Sequence, residues 1–199
     1  MHKPYSESCE QNRAPIIEIL RVEFADRTAV LEIGSGTGQH AVYFGAELTH
    51  LTWQTSDVAE HHPGINAWLR DAALTNVIVP IDLDVREPTH WPTQKFDAIF
   101  SANAVHIMSW DAVIAMFTGL GQVMTENAIL ALYGPFDFDG KFTSESNARF
   151  DQWLKNRDPL SGVRNFEDIN ALATAQGLRL QQVYAMPANN RVLVWGRGE

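Results

Sequence analysis

A chain of 199 residues, 45% of them apolar, is enough for one domain with a sizeable core. Its formal net charge is −9 and its 15 lysines and arginines form no run. That disfavours nucleic acid as a partner, because affinity for a phosphate backbone rises with the number of phosphates neutralised. No apolar stretch reaches the ~18 residues of a membrane span. The N-terminal MHKPYSESCEQNR lacks the apolar region of a signal peptide, and the single cysteine, Cys9, permits no internal disulfide. A cytoplasmic protein with a plain thiol at Cys9 is expected.

Residues 10–25 carry Ile16, Ile17, Leu20 and Phe24 at helical spacing, with Pro15 near the start. They predict a helix that packs on a sheet or covers a ligand. A strand over 28–33 then runs into Gly34-x-Gly36-x-Gly38, within VLEIGSGTGQH, and a helix over 38–47. Strand, tight glycine turn and helix start together bring a nucleotide-like ligand against bare backbone. In a dinucleotide fingerprint the third glycine falls one residue later, where this chain has Gln39. Glu32, two residues ahead of Gly34, would repel a pyrophosphate at that turn and would suit a ligand with positive charge. S-adenosylmethionine, with an ammonium, a sulfonium and no phosphate, is such a ligand. The plainer alternative is a tight turn in some other α/β protein.

The stretch LTWQTSD predicts a second strand, 51–56, ending at Asp57. Asp57 lies 19 residues after Gly38, close to the offset of about 20 at which an acid meets a ribose hydroxyl. It also precedes a helical pattern over 60–73 and is a candidate N-cap; the two roles are compatible. A third strand, 77–81 in VIVPIDLDV, leads to Asp82 and Asp84. Either could accept from an adenine amino group, Asp84 being favoured, with a solvated loop acid as the alternative. FDAIFSANAVHIM supplies a fourth strand, 96–102, with Ser101, Asn103 and His106 at its far end. Ligands of doubly wound sheets lie beyond the carboxyl ends of the strands, so these polar groups share one edge with Glu32, Asp57 and Asp84.

A helix over 110–122 and a fifth strand over 127–133 complete an alternation that means a parallel sheet with helices on both faces. Further helices are predicted over 144–156 and 165–176, the second ending at Gly177. LRLQQVYAM and RVLVWGR, joined by Pro187-Ala188-Asn189-Asn190, predict an antiparallel hairpin. No repeat or long linker divides the chain, which reads as a single domain, 1–199. Its first 27 residues form a helical segment that could cover a cofactor.

With this glycine turn, these acids and this hairpin, the chain resembles class I S-adenosylmethionine-dependent methyltransferases. Their fold is α/β, a Rossmann-like doubly wound seven-stranded sheet, mostly parallel with a C-terminal antiparallel hairpin. YSESCEQNRAPIIEIL, YGPF at 133–136, SESNARFDQWLKNRDPLSGVRNFEDI at 144–169 and MPANN at 186–190 further resemble a small family of methyltransferase-like proteins of unassigned substrate, found in bacteria and animals. The resemblance implies S-adenosyl-L-methionine as cofactor and methyl transfer to an acceptor, a small molecule being favoured. Glu32 and the turn Gly34, Ser35, Gly36 and Gly38 would hold the methionine part. Asp57 would take the ribose hydroxyls, Asp84 with Val85 the adenine, and Asn103 would lie near the methionine end. Metal-dependent catechol-type relatives need an Mg²⁺ site, and no set of acids here makes one. Asp137-Phe138-Asp139-Gly140 has a Ca²⁺-loop flavour without the glutamate an EF-hand requires, and reads as a loop.

Holding donor and acceptor in line is worth up to ~7–11 kcal/mol in well-oriented systems, so methyl transfer asks little covalent chemistry of the protein. A base is needed only for a protonated acceptor. His106 is the first candidate, against the plainer role of a capping or packing histidine, with Tyr133 and Asp137 as further ones. Asn12 and Arg13 lie in the segment that could act as a lid. Asn147, Arg149, Arg164, Asn189 and Asn190 are candidates for acceptor recognition, the arginines suiting an anionic molecule. His40 would touch the cofactor or its helix, and His61 and His62 would lie at the surface. The rival readings are a non-catalytic S-adenosylmethionine-binding regulatory protein, a nicotinamide-dependent oxidoreductase and a nucleic-acid methyltransferase. Glu32 and the glycine spacing weigh against the second, and the charge against the third.

Overall fold

Five aliphatic runs become parallel strands: β1 (Ala29–Ile33), β2 (Thr52–Asp57), β3 (Val77–Asp82), β4 (Phe96–Ala102) and β5 (Met124–Gly134). The computed structural model describes residues 3–198. The two-residue strands β6 (Phe136–Asp137) and β7 (Arg164–Asn165) pair with each other apart from the main sheet. β8 (Leu178–Ala185) and β9 (Arg191–Arg197) form the expected hairpin. The sheet order is β3-β2-β1-β4-β5-β9-β8, with β9 antiparallel to both its neighbours. The order reverses beside β1, and a crevice opens at such a switch point.

Two helical layers cover the sheet, which is why β1 and β4 read as runs rather than as alternations. Leu31 and Ile33 face a core completed by α4 (Trp110–Val123) and α6 (Phe166–Ala175). Val30 faces a second core with α1 (Glu7–Glu23) and α2 (Gln39–Glu47). There the rings of Phe44, Trp53 and Phe100 meet at centroid distances of 5.4 to 5.8 Å. Each such pair adds about 0.5–1.5 kcal/mol beyond the area it buries.

Three local differences from the sequence reading have physical causes. α1 starts at Glu7 because the Ser6 hydroxyl accepts from the Cys9 amide, and Glu7 and Glu10 favour the positive helix end. Pro15 therefore lies inside the helix, where Asn12, Ile16, Ile17 and Leu20 bury the face that holds it in place. The pattern over 60–73 divides into a 3₁₀ turn, Ala59–His61, and α3 (His62–Ala72). Residues 137–140, expected as a loop after β5, instead leave β6 through a tight turn, ahead of the expected helix α5 (Glu145–Arg157) and of β7. Asp139 and Gly140 have φ of 52° and 67°, and Phe138 and Lys141 exchange both backbone hydrogen bonds. That is the two-residue hairpin for which Asp-Gly is suited, and no cluster of three or more metal-ligating side chains occurs among the described residues.

The sheet ends in two open edges. β3 carries Pro80, and the register of β8 shifts between Leu180 and Gln182. No helix is long and apolar enough to cross a membrane among the described residues.

Gly119 in α4 lies against Trp91, and a β-carbon there would come within 2.0 Å of the indole. Alanine normally stabilises a helix interior by about 1 kcal/mol over glycine, but such an overlap costs more than that gain. Gly119→Ala should lower the unfolding free energy by roughly 2 kcal/mol, read from urea midpoints at unchanged m value.

Candidate active site

The turn after β1 is fixed by the end of β2. The Gly34 and Ser35 amides both donate to the Ser56 carbonyl, at 3.1 and 2.9 Å. The Gly36 amide donates to Asp57 Oδ2 at 2.7 Å. A side chain at Gly38 would meet the Ile65 backbone at 3.0 Å, and the φ of 89° there is itself unfavourable for one. Gly36, by contrast, is exposed with open space on its outer side, so its backbone is accessible. Ser35 turns inward: its hydroxyl donates to Glu32 Oε2 at 2.8 Å and accepts from the Ser56 amide.

Glu32 is 2% exposed. Its Oε2 also accepts from Trp53 Nε1 at 3.1 Å. Burial pushes its carboxyl up to about 7, with the Asp57 charge adding to the effect and the Trp53 and Ser35 hydrogen bonds opposing it. A half-ionised carboxyl under a glycine turn is a receptor for a cation.

Beyond Gly34 opens a cleft of about 300 Å³, lined on one side by Asp57, Val58, Asp84 and Val85 and on the other by Asp158 and Leu160. Asp57 accepts from Gly36 and Val58 amides and from His61 Nδ1, the last at 2.7 Å. A carboxylate has about four acceptor positions, so capacity remains for a ligand hydroxyl. His61, at the surface as expected, also supports Asp57. Asp84 is gripped by the fork of Arg86, at 2.9 Å from Nε and 2.6 Å from Nη2, and that guanidinium holds its carboxyl low. Asp82 is exposed and does not line the cleft. The Val85 carbonyl accepts from Trp91 Nε1.

At the end of β4, Ser101 is used internally, its hydroxyl donating to the Ile33 carbonyl at 2.8 Å. Asn103 has φ of 57°, and its amide donates to the Tyr133 carbonyl at 2.8 Å. His106 is 3% exposed and its Nδ1 has no hydrogen-bond partner. Burial, and then the charge of Arg164, lower its imidazole to about 4, so it is neutral near pH 7. The three candidates for proton transfer do not form one constellation. Tyr133 faces the α1 and α2 layer, where its hydroxyl accepts from Asn190 Nδ2 at 3.0 Å. Burial raises its phenol against the hydrogen bonds of Asn190 and Asn12. Asp137 lies in β6 and accepts from Asn165 Nδ2 at 2.8 Å.

The remaining candidates are held mainly by the protein itself. Asn12 Oδ1 meets His40 Nε2 at 2.7 Å beneath α1, and burial lowers His40 to about 4. Arg13 pairs with Glu10 and lies over the Tyr43 ring. The segment ahead of α1 is strapped down: Trp68 Nε1 donates to the Pro4 carbonyl, and the Ser6 backbone exchanges hydrogen bonds with the Gln39 amide. Burial pushes the Cys9 thiol up, so it is not activated. Arg164, which the sequence offered for anion recognition, instead donates to the carbonyls of Val105, Met108 and Leu160. Asn147 reaches the Asn189 carbonyl, and Arg149 pairs with Glu145 at the surface. Sequence reading did not single out three further features: the space at Gly134, the Phe150 and Trp153 ring pair beside His106, and the Asp158 to Leu160 wall. A run of i, i+3 aromatics was the one available signal.

The model of a family described as "Protein of unknown function (DUF938)" matches residues 3–197. Among solved structures, an O-methyltransferase family protein from Burkholderia thailandensis aligns with TM-score 0.83 at 12% identity, covering 94% of this chain and 56% of that one. The S-adenosylmethionine-dependent methyltransferase SibL, in its apo form, gives 0.80 at 15% identity, covering 96% and 56%. The O-methyltransferase NcsB1 from neocarzinostatin biosynthesis, in complex with S-adenosylmethionine and 2-hydroxy-5-methyl naphthoic acid, gives 0.77 at 12%, covering 94% and 54%. The chain thus has the class I methyltransferase fold and spans little more than half the length of these proteins.

Glu32 binds a proton more tightly folded than unfolded, so between pH 4.5 and about 7 its contribution to stability falls as pH rises, by roughly 3 kcal/mol in all. His40 and His106, lowered to about 4, act in the opposite sense as pH falls below 6.5. The Glu32 share is isolated by comparison with Glu32→Gln. The stability of that variant relative to wild type should rise steadily from pH 5 to pH 7.5 in chemical denaturation.

Proposed function

This chain belongs to the DUF938 family, and from its cleft and fold we propose that it is an S-adenosylmethionine-dependent methyltransferase acting on a small-molecule acceptor. The observation that carries the reading is Glu32, a buried carboxyl poised near neutrality beside an accessible glycine backbone. The same side of the cleft carries Asp57 and Asp84. Arg86 is the one basic residue among the described residues lining it, and it is forked onto Asp84. Such a lining is hostile to pyrophosphate and suits a cationic, phosphate-free nucleoside, which weighs against a nicotinamide dinucleotide.

In this reading Glu32 and the turn from Gly34 to Gly38 hold the methionine part. Asp57 takes the ribose hydroxyls with its remaining acceptor capacity, and Asp84 and Val85 flank the adenine. Asn103 lies towards the methionine end. When bound, S-adenosylmethionine supplies a sulfonium-activated methyl carbon that an acceptor oxygen or nitrogen displaces in line, the C–S electron pair returning to sulfur. The protein's own task is to orient the two partners and to receive the acceptor's proton. In this reading His106 takes that role, its neutral imidazole and unpartnered Nδ1 supporting it. Tyr133 is held by Asn190 and Asn12, and Asn12 in turn by His40, in the layer of α1 and α2. Solved proteins of the same fold include one holding S-adenosylmethionine with a small aromatic molecule, which supports the cofactor and a small-molecule acceptor. A regulatory protein that only binds the cofactor would have no use for an open imidazole nitrogen.

Calorimetry with S-adenosylmethionine and S-adenosylhomocysteine should give micromolar binding, and NADH none. Asp57→Ala would also release the Gly36 amide, so Asp57→Asn is the cleaner variant, and it should weaken the cofactor about tenfold or more. Affinity should fall about tenfold from pH 8 to pH 6 as the Glu32 carboxyl, near 7 in the free protein, takes a proton, and Glu32→Gln should abolish that dependence. A folded wild-type protein that bound neither ligand would overturn the assignment. Cofactor binding without S-adenosylhomocysteine formation across hydroxyl and amine acceptors would favour the regulatory reading.

A further inference from the structure

Among the described residues, His106 Nδ1 is the one buried side-chain nitrogen or oxygen without a hydrogen-bond partner. Leaving such a group unpaired is unfavourable, so its retention asks for a ligand or a role. The space it faces is made by a missing side chain. A β-carbon on Gly134 would lie 3.5 Å from His106 Nδ1 and 4.0 Å from Asn103 Oδ1. Gly134 is not among the residues with positive φ, so its backbone does not require glycine. What glycine provides there is room, bounded by two polar atoms.

The surroundings define what could enter. Phe150 stands edge-on to the imidazole at 5.3 Å and stacks on Trp153. Arg164 is the nearby cation, and its guanidinium is taken up by the Val105, Met108 and Leu160 carbonyls. Asp151 is the nearby anion, and it is taken up by the Val163 amide and Lys155. Ile107 and Leu160 are exposed apolar side chains on the flanking loops. A carboxylate or phosphate in this space would therefore be desolvated with no free cationic donor to replace its water, the Arg164 donors being turned onto those carbonyls.

We propose that the space at Gly134 seats the reacting O–H or N–H of a neutral, largely apolar acceptor, and that Gly134 sets this specificity. The inference rests on the methyltransferase reading and adds the acceptor class. The acceptor's hydrogen bond to His106 Nδ1, alongside Asn103 Oδ1, completes the one unpaired buried group. As the acceptor atom bonds to the methyl carbon its proton passes to Nδ1. Any side chain at position 134 competes for the same space.

The test uses the full chain saturated with S-adenosylhomocysteine and ¹³C-labelled at histidine Cε1, with the His106 signal assigned from His106→Gln. Phenol and benzoate serve as probes of equal ring size and different charge. Phenol should move the His106 signal saturably, and benzoate should bind at least about tenfold more weakly. Gly134→Ala should weaken phenol at least about tenfold while S-adenosylhomocysteine affinity and melting temperature stay unchanged. Its new contacts, at 3.5 to 4.0 Å, are ordinary ones. If that variant fails to fold, the wild-type comparison of phenol with benzoate decides alone. A His106 signal unmoved by phenol, or moved equally by benzoate, in protein that binds S-adenosylhomocysteine overturns the seat and leaves the methyltransferase reading intact. Phenol binding at His106 in protein that does not bind S-adenosylhomocysteine supports the seat and overturns the cofactor assignment.

Discussion

The C-terminal end of β2 is the constraint on which the cleft depends. One carbonyl, Ser56, and one carboxylate, Asp57, receive three successive amides of the glycine turn. Those bonds replace the inter-strand and intrahelical partners that the turn lacks, and so permit the backbone to leave β1 abruptly and present itself to a ligand. They also explain why a side chain with an acceptor oxygen is needed at position 57 even in the absence of ligand. The same residue both shapes the turn and faces the cleft, so binding and local architecture are coupled through it.

A second organising feature is the segment between β5 and α6. It would be a long irregular loop without Arg164, whose guanidinium gathers carbonyls from the loop after β4 and from its own stretch, and without the Gly162 amide, which donates to the His106 carbonyl. A planar group with several fixed donors is suited to collecting carbonyls from separate turns, which lysine could not do. The result is a wall that carries Asp158 and Leu160 to the cleft and Phe150 to His106.

The seven strands of the sheet and the hairpin at its end were legible because their signals are local: aliphatic runs, a glycine turn, a Pro-Asn connection. Glu32, Asp57 and Asp84 were legible as acids at strand ends for the same reason. What the sequence did not disclose depends on contacts between distant positions. Asp57 with Gly36 spans 21 residues, and His40 with Asn12 spans 28. Tyr133 and His106 lie near one another along the sheet edge yet serve different layers, and no periodicity separates them. Arg164 reads as a surface cation until the carbonyls it meets are known. The absence of a side chain at Gly134 acquires meaning only once His106 is seen across from it.

An open sheet is a template for further strands, and here both margins are blunted by different means. Pro80 removes an amide from β3, so a strand added alongside would find its ladder broken. The register shift within β8 twists the other margin out of alignment, and that strand bears Arg179, Gln181 and Gln182 among its exposed residues. Edge-to-edge growth of the sheet between copies of the chain is thereby discouraged at both ends. Val79, Leu180 and Val183 can remain solvent-exposed on these margins without becoming a nucleus for fibrillar association.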